Sequence, residues 1–255
     1  MGNQPGSNIL HVLVACFPKS ASSYLSETIA YLPGMRREFM VPAFGQREQE
    51  LCLHRILEAD KSTYAIRKFM REKEITDFES PRGYVAQHHV RKSDATAAII
   101  KRKNIGTIVL TRNIYDCIVS LRDHICTHPL LPMAHVPSHF NDMPEAQQHL
   151  FIASMIVPWY FNFYTSWVNS DDAMWVTYEE LTDDPEATFD RVRTTLLEEY
   201  SIEDMMTAAE SAMKADVRFN KGVSGRGAEV SGEVRAIVEG YTEFYPSVDF
   251  GRMGL

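Results

Sequence analysis

A short segment near the N-terminus combines the side chains and the position needed to bind an anion. Residues 17–24 read FPKSASSY, and they separate an apolar run from a segment with helical spacing. A helix N-terminus offers free backbone N–H groups and a positive dipole end, to which a lysine and several hydroxyls add donors. A capped helix start with one solvated lysine is the structural alternative. The candidate ligands are Lys19, Ser20, Ala21, Ser22, Ser23 and Tyr24.

A second segment, TRNIYDCIVS at residues 111–120, repeats this arrangement. Arg112 directly follows a short apolar run, and Ser120 lies in the helical segment after it. Ligands bind beyond the carboxyl ends of strands in open α/β sheets, so both residues are candidate anion ligands.

A third segment, RFNKGVSGRG at residues 218–227, is rich in glycine and basic residues and is a further candidate for anion binding. Residues 216–232 lack any periodicity, which is typical of a mobile loop that closes over a ligand.

Two neighbouring histidines end the apolar segment GYVAQHH at residues 83–89. Histidine is the natural general base near neutral pH. Because side chains alternate across a strand, His88 and His89 should point to opposite faces, so at most one of them reaches a given site. Either one taken singly could instead be a hydrogen-bonded structural histidine.

The apolar runs that precede these segments predict strands, and helical patterns follow each strand. We expect strands at residues 9–17, 83–89, 107–110 and 174–178. Strands that alternate with helices indicate a parallel sheet with right-handed crossovers. The expected fold class is therefore a three-layer α/β fold, with a central, mainly parallel sheet flanked by helices.

Composition narrows the class of protein. At 255 residues with 45% hydrophobic content, the chain can form one large core, so we expect a single domain over residues 1–255. Acidic residues outnumber basic ones 34 to 26, which disfavours nucleic acid and anionic membranes as partners. Residues 151–168 are interrupted by Pro158 and Asn162, so a buried aromatic helix is favoured over a membrane span.

Cysteine usage and the N-terminus favour a cytoplasmic location. The four cysteines form no CxxC pair, which indicates neither a zinc framework nor a disulfide ladder. Residues 1–7 are short and polar, without the basic and apolar regions of a signal peptide.

The order and spacing of the three segments resemble those of the PAPS-dependent sulfotransferases. In that family the phosphosulfate loop reads PKSGTTW, the 3′-phosphate motif reads RNPxDxxVS and the late loop reads RKGxxGxW. The sequence YEEL at residues 178–181 also resembles the family's YEDL-type element, whose tyrosine contacts adenine. The resemblance implies a P-loop-like phosphosulfate-binding turn, 3′-phosphoadenosine 5′-phosphosulfate (PAPS) as sulfuryl donor, no metal, and Tyr178 as a further cofactor ligand.

The resemblance also implies roles in the reaction. Lys19 would stabilise charge on the bridging oxygen, and Arg112, Ser120 and Lys221 would surround the 3′-phosphate. Gly222, beside Lys221 in the late loop, would be a further cofactor ligand. The family's KTH element carries the histidine base, and aligning it with Ala86-Gln87-His88 selects His88. The candidate catalytic residues are therefore Lys19, His88 and Ser120.

Several residues depart from the family pattern. Ala21 replaces the loop glycine, which costs free energy if its φ is positive. Asn220 and Gly227 replace an arginine and a tryptophan of the late loop, and Ala86 replaces the lysine of the KTH element.

Two other functions compete with sulfuryl transfer. A small-molecule or nucleoside kinase would share the sheet, but the GxxxxGK[ST] loop and an obvious aspartate pair for magnesium are absent from the sequence. A non-catalytic nucleotide-binding module would have the anion sites without the base. The sulfuryl acceptor has no readable motif, and the aromatic content favours a small molecule with a hydroxyl or an amine.

A second group of histidines includes two i, i+4 pairs that could bind a metal if helical. Pro129, Pro132 and Pro137 interrupt it, so we interpret the region as an acceptor-side loop. The group consists of His124, His128, His135, His139 and His149.

Overall fold

The computed structural model describes residues 9–41, 50–76, 78–128, 134–215 and 224–255. Within them, four strands form one all-parallel sheet in the order β2-β1-β3-β4. The strands are β1 Leu10–Cys16, β2 Gly83–His88, β3 Ile105–Thr111 and β4 Ala173–Thr177. The predicted parallel sheet is therefore confirmed, and each predicted strand agrees with an observed one to within a few residues.

Ten α-helices in the described ranges connect or follow these strands. They are α1 Ser22–Ala30, α2 Leu53–Glu72, α3 Asp94–Lys103, α4 Ile114–Thr127, α5 Glu145–Met155, α6 Val157–Trp167, α7 Tyr178–Asp183, α8 Pro185–Leu196, α9 Ile202–Lys214 and α10 Gly232–Gly240. Short 3-10 helices lie at Phe140–Asp142, Arg226–Glu229, Tyr241–Phe244 and Gly251–Met253.

The sheet is buried on both faces, which gives the three layers expected from the sequence. Alternate residues of β1 point to opposite sides, as in any strand. Val12 and Val14 pack in a core formed with α1, α8 and α9, whereas Leu13 and Ala15 pack in a second core. Residues of α2 to α6 and α10 contribute to that second core. A continuous apolar run such as residues 10–16 is typical of a strand covered on both faces.

Because all four strands are parallel, their carboxyl ends meet at one edge of the sheet. The connections run from β1 to β2 on one side and from there to β3 on the other, so the strand order reverses between β1 and β3. Such a switch point is where ligands bind in open α/β folds. The predicted anion-binding turn follows β1, and Arg112 follows β3.

Two expectations about local structure need correction. Residues 151–168 form parts of two helices, α5 and α6, and Pro158 lies in the first turn of α6, where its missing N–H costs nothing. The late loop is not irregular throughout, since a 3-10 helix forms at Arg226–Glu229 and α10 begins at Gly232. Residues 216–223, with Lys221 and Gly222, lie outside the described residues.

Neither transmembrane helices nor disulfides appear in the described parts of the chain. No helix there is both long and apolar enough to cross a bilayer. The cysteines, Cys16, Cys52, Cys117 and Cys126, are free thiols.

Candidate active site

The turn between β1 and α1 has an unusual backbone. The φ angle is 68° at Lys19 and 62° at Ala21, the left-handed region that L-residues rarely adopt. The Ser20 hydroxyl donates to the Phe17 carbonyl at 2.7 Å, and the Phe17 N–H donates to Leu110 of β3 at 2.9 Å. These bonds fasten the turn to the sheet. Residues that alternate in the sign of φ point successive N–H groups to one side, which forms an anion-binding concavity.

The first turn of α1 is suited to an anion for a second reason. Its N-cap is Ala21, which provides no side-chain acceptor for the first N–H groups. Six other helices, α3, α4, α7, α8, α9 and α10, have a side-chain cap at this position. An uncapped N-terminus beside a lysine fits a bound phosphate or sulfate.

The side chains of the predicted turn residues have different environments. Ser22 is buried and contacts Gln87, while Ser23 is half-buried. Tyr24 points into the core, where its ring lies 5.9 Å from that of Phe189. The Tyr24 side chain therefore packs α1 onto α8. Only its backbone, in the first turn of α1, faces the candidate anion site.

The backbone of Ala21 allows a prediction about stability. Ala21→Gly should raise the free energy of unfolding by up to about 1 kcal/mol, because glycine adopts positive φ without a steric penalty. The matched control is Ala65→Gly on the exposed face of α2, which should lower it by about 1 kcal/mol. Urea unfolding measures both variants, and destabilisation of equal size would contradict the left-handed conformation.

Arg112 joins three of the predicted site segments. Its Nη1 donates to the Lys19 carbonyl at 3.0 Å, and its guanidinium lies 3.8 Å from the ring centre of Tyr178. Nη2 lies 3.4 Å from an oxygen of Asp116. Arg112 is 5% exposed and Tyr178 is 3% exposed, so this cluster is nearly enclosed. Ser120 is also buried, on α4.

Asp116 is a residue whose role the sequence did not reveal. Its carboxylate accepts hydrogen bonds from the backbone N–H groups of Gly225 at 2.8 Å and Gly227 at 2.5 Å. Since Asp116 also pairs with Arg112, it connects the second motif to the end of the late loop. Its place in RNPxDxxVS was the available signal.

Two glycines of the late loop, Gly225 and Gly227, suit this packing for different reasons. Gly225 has a φ of 83°, which favours glycine. A Cβ on Gly227 would lie 2.5 Å from that of Tyr115, so any side chain is excluded there. Gly227 stands where the family has a tryptophan, and its backbone packs directly on α4.

His88 is the histidine selected by the family alignment. In the structure it is buried, and its contacts are those of a structural residue. Its Nε2 accepts a hydrogen bond from the Met40 N–H at 3.0 Å, so the one lone pair on the ring is already engaged. Burial, followed by the charges of His89 and Arg37, lowers its pKa to about 3. A neutral histidine with its lone pair occupied is a poor base for an incoming hydroxyl.

The buried state of His88 predicts a specific dependence of stability on pH. Below pH ~6.5, its unfolded pKa, the unfolded chain binds a proton that the folded protein does not, so stability falls as pH falls toward 3. His88→Gln keeps a side-chain acceptor but cannot titrate. Between pH 6.5 and 4.5, wild type should lose about 2 kcal/mol more than this variant. If the free energy of unfolding of wild type and of His88→Gln fell in parallel as pH fell, the lowered pKa of His88 would be contradicted.

His89 contacts the last residue of β1 and has a defined tautomer. Its Nδ1 is 2.8 Å from the carbonyl oxygen of Cys16, the last residue of β1. A carbonyl only accepts, so Nδ1 carries the proton and Nε2 carries the lone pair. The ring meets Trp159 edge-on at 6.1 Å. Nε2 is therefore the basic nitrogen of His89, on a ring held beside the last residue of β1.

The second histidine group does not form a recognisable metal site. His124 and His128 stack at 5.1 Å. In the part of the chain that the structure describes, no cluster of three or more histidine, cysteine, aspartate or glutamate side chains could hold a metal ion.

Solved structures share this fold. The mouse sulfotransferase SULT7A1 complexed with PAP superposes with a TM-score of 0.63 at 20% identity, over 95% of this chain and 87% of that one. Retinol dehydratase in a complex with retinol and PAP gives a TM-score of 0.53 at 13% identity, over 94% and 82%.

Sequence comparison identifies the family. A search among curated proteins returned no match. A model of the sulfotransferase domain matches residues 10–220, most of the chain and all four strands. The chain therefore belongs to the sulfotransferase family.

Proposed function

We propose that this protein transfers the sulfuryl group of PAPS to a small-molecule hydroxyl or amine, with His89 as general base. The observation that carries the proposal is the hydrogen bond from Arg112 to the Lys19 carbonyl, beside the stacked ring of Tyr178. It brings residues from three family motifs together at the carboxyl edge of the sheet, where a nucleotide would bind.

The donor site follows from the same residues. The 5′-phosphosulfate would bind at the N-terminus of α1, with N–H groups of the turn, the hydroxyls of Ser22 and Ser23, and Lys19 as donors. Arg112, Ser120 and Lys221 would hold the 3′-phosphate, and Tyr178 would contact adenine. PAP, the product that remains after transfer, is present in both structures compared above, which supports this assignment.

The sulfuryl acceptor is proposed to be a small, largely apolar molecule. Trp159 is half-buried, and its ring meets that of the proposed base, His89, edge-on at 6.1 Å. Aromatic side chains near a base suit an apolar ligand with one polar group. The retinol in the complex of retinol dehydratase is such a molecule, which supports the class though not its identity.

The proposed reaction requires proton removal, charge stabilisation and alignment of the reacting groups. The bond from sulfur to the bridging oxygen breaks as a bond forms from sulfur to the acceptor's oxygen or nitrogen. His89 Nε2 takes the acceptor's proton, Lys19 stabilises the negative charge on the leaving phosphate oxygen, and the helix N-terminus holds the group in line. No metal is needed for this step.

A transfer assay tests the proposal. PAPS labelled with ³⁵S is incubated with the protein, without magnesium, against small alcohols, phenols and amines, and separately against polysaccharides. We expect label on at least one small molecule. Label on polysaccharide alone would contradict the acceptor class, and binding without transfer to any acceptor would favour a non-catalytic nucleotide-binding module.

A further inference from the structure

We infer that Gln87 is a positioning residue that makes the Ser22 hydroxyl a donor to the 5′-phosphosulfate. The inference rests on the proposed function, and it concerns how the anion-binding turn is completed. Gln87 lies in β2 next to the carboxyl end of the sheet, and its side chain reaches α1. It is not among the ligands that the sequence motifs identify.

The contacts of Gln87 fix the orientation of its side-chain amide. One amide atom lies 3.1 Å from Arg37 Nη2 and 3.1 Å from Ser26 Oγ. A guanidinium only donates hydrogen bonds, so the atom that faces it must be the amide oxygen, Oε1. A flipped amide would place two donors against each other. Nε2 is therefore the atom that lies 2.8 Å from Ser22 Oγ.

This orientation determines what the Ser22 hydroxyl does. A serine hydroxyl has one proton, and here its oxygen accepts from Gln87 Nε2. The hydroxyl proton must therefore point to another acceptor. Within the described residues, no hydrogen bond has the Ser22 hydroxyl as donor, whereas the Ser20 hydroxyl donates to the carbonyl of Phe17. Ser22 is the first residue of the uncapped helix α1, where an anion is the fitting acceptor.

Further contacts hold Gln87 in this position. Arg37 pairs with Glu27 of α1 at 2.5 Å, and its backbone bridges to Val85 of β2. Arg37 is thus held by both elements that Gln87 connects, by its side chain to α1 and by its backbone to β2. The relay runs from Glu27 through Arg37 and Gln87 to Ser22, and it begins and ends on α1.

Gln87→Glu tests the inference because it keeps the side chain's size and its bonds to Arg37 and Ser26. Only the atom that faces Ser22 changes, from the amide Nε2 to a carboxylate oxygen. Because this oxygen accepts hydrogen bonds, the Ser22 hydroxyl donates to it and no longer to the ligand. Affinity for adenosine 3′,5′-bisphosphate and for adenosine 5′-phosphate should fall by roughly 10-fold or more, the loss of one charge-assisted hydrogen bond. Affinity for adenosine 3′-phosphate, which lacks the 5′ group, should stay unchanged.

Two further variants separate the relay from a simple effect of charge or size. Gln87→Met adds no charge but removes the amide that orients the Ser22 proton, so it should lower affinity for the two ligands with a 5′-phosphate by about 3-fold. In a Ser22→Ala background, Gln87→Glu should also cost at most ~3-fold, because residues that act through one hydroxyl are not additive. Calorimetry measures all of these affinities.

Defined outcomes would overturn the inference. If Gln87→Glu lowered the affinity for adenosine 3′-phosphate equally, it would cause a general structural defect. If it lowered the affinity for the bisphosphate equally in the Ser22→Ala background, its effect would be repulsion between the new carboxylate and the ligand. Failure of wild type to bind the bisphosphate at all would instead contradict the proposed function. Normal binding by wild type with no effect of Gln87→Glu would overturn the inference alone.

Discussion

Lys19→Met should lower the turnover number by at least ~100-fold, the scale observed when one stabilising donor at developing charge is removed. Lys19 lies in the turn between β1 and α1, and Arg112 fixes its backbone carbonyl at 3.0 Å. Methionine has a similar length and no charge, so the turn should keep its conformation. The loss is then specific to charge on the leaving phosphate oxygen.

Steady-state kinetics and thermal melting together check this expectation. Lys68→Met on α2 is the matched control, because that lysine is 55% exposed and pairs only loosely with Glu72, at 3.7 Å. The control should retain normal turnover. Near-normal turnover of Lys19→Met with an unchanged melting temperature would remove Lys19 from the mechanism.

His89→Ala should reduce turnover by ~100-fold or more while nucleotide affinity changes little. The hydrogen bond from His89 Nδ1 to Cys16 leaves the lone pair on Nε2, which is the atom that would receive the acceptor's proton. A base acts on the sulfuryl acceptor and not on the nucleotide, so binding of adenosine 3′,5′-bisphosphate should be nearly that of wild type.

His88→Ala should give a different pattern. Removal of the ring leaves the buried Met40 N–H without its acceptor, which should cost about 1–3 kcal/mol of stability. Turnover per folded molecule should change far less than in His89→Ala. If His88→Ala abolished turnover and His89→Ala kept it, the family alignment that selected His88 would be restored.

The sequence predicted much of the fold because its signals were local. The apolar run around Val12 and Val14 indicated a strand buried on both faces, and Asp184 followed by Pro185 marked the start of α8. The candidate anion-binding turn between β1 and α1 could be predicted because a lysine and several serines between a strand and a helix are typical of a phosphate-binding turn. The positive φ at Lys19 could not be predicted, since lysine does not favour it, whereas the family's glycine at the position of Ala21 was a signal for a positive φ there.

The rest of the site depends on contacts between distant segments. The choice between His88 and His89 requires the positions of Met40 and Cys16, which lie 48 and 73 residues away in the chain. Gln87 had no signal of its own, because a glutamine in a strand is an ordinary residue until Arg37 and Ser22 lie beside it. Asp116 had its place in the second motif as a signal, but its role requires the contacts with Gly225 and Gly227.

The central claim is that the protein binds a nucleotide with a 3′-phosphate, and one comparison of ligands tests it without knowledge of the sulfuryl acceptor. Each charge-assisted hydrogen bond contributes about 1.5–3 kcal/mol, so two contacts to the 3′-phosphate give roughly 10²- to 10⁴-fold discrimination. Arg112→Ala should reduce that discrimination and also loosen the turn that Arg112 holds.

Thermal melting at equal ligand concentration measures the difference, because stabilisation follows RT ln(1 + [L]/Kd). We expect a clear upward shift of the melting temperature with adenosine 3′,5′-bisphosphate and little shift with adenosine 5′-phosphate. Equal shifts with both, or a larger shift with ATP and magnesium, would contradict PAPS-dependent sulfuryl transfer and favour a kinase.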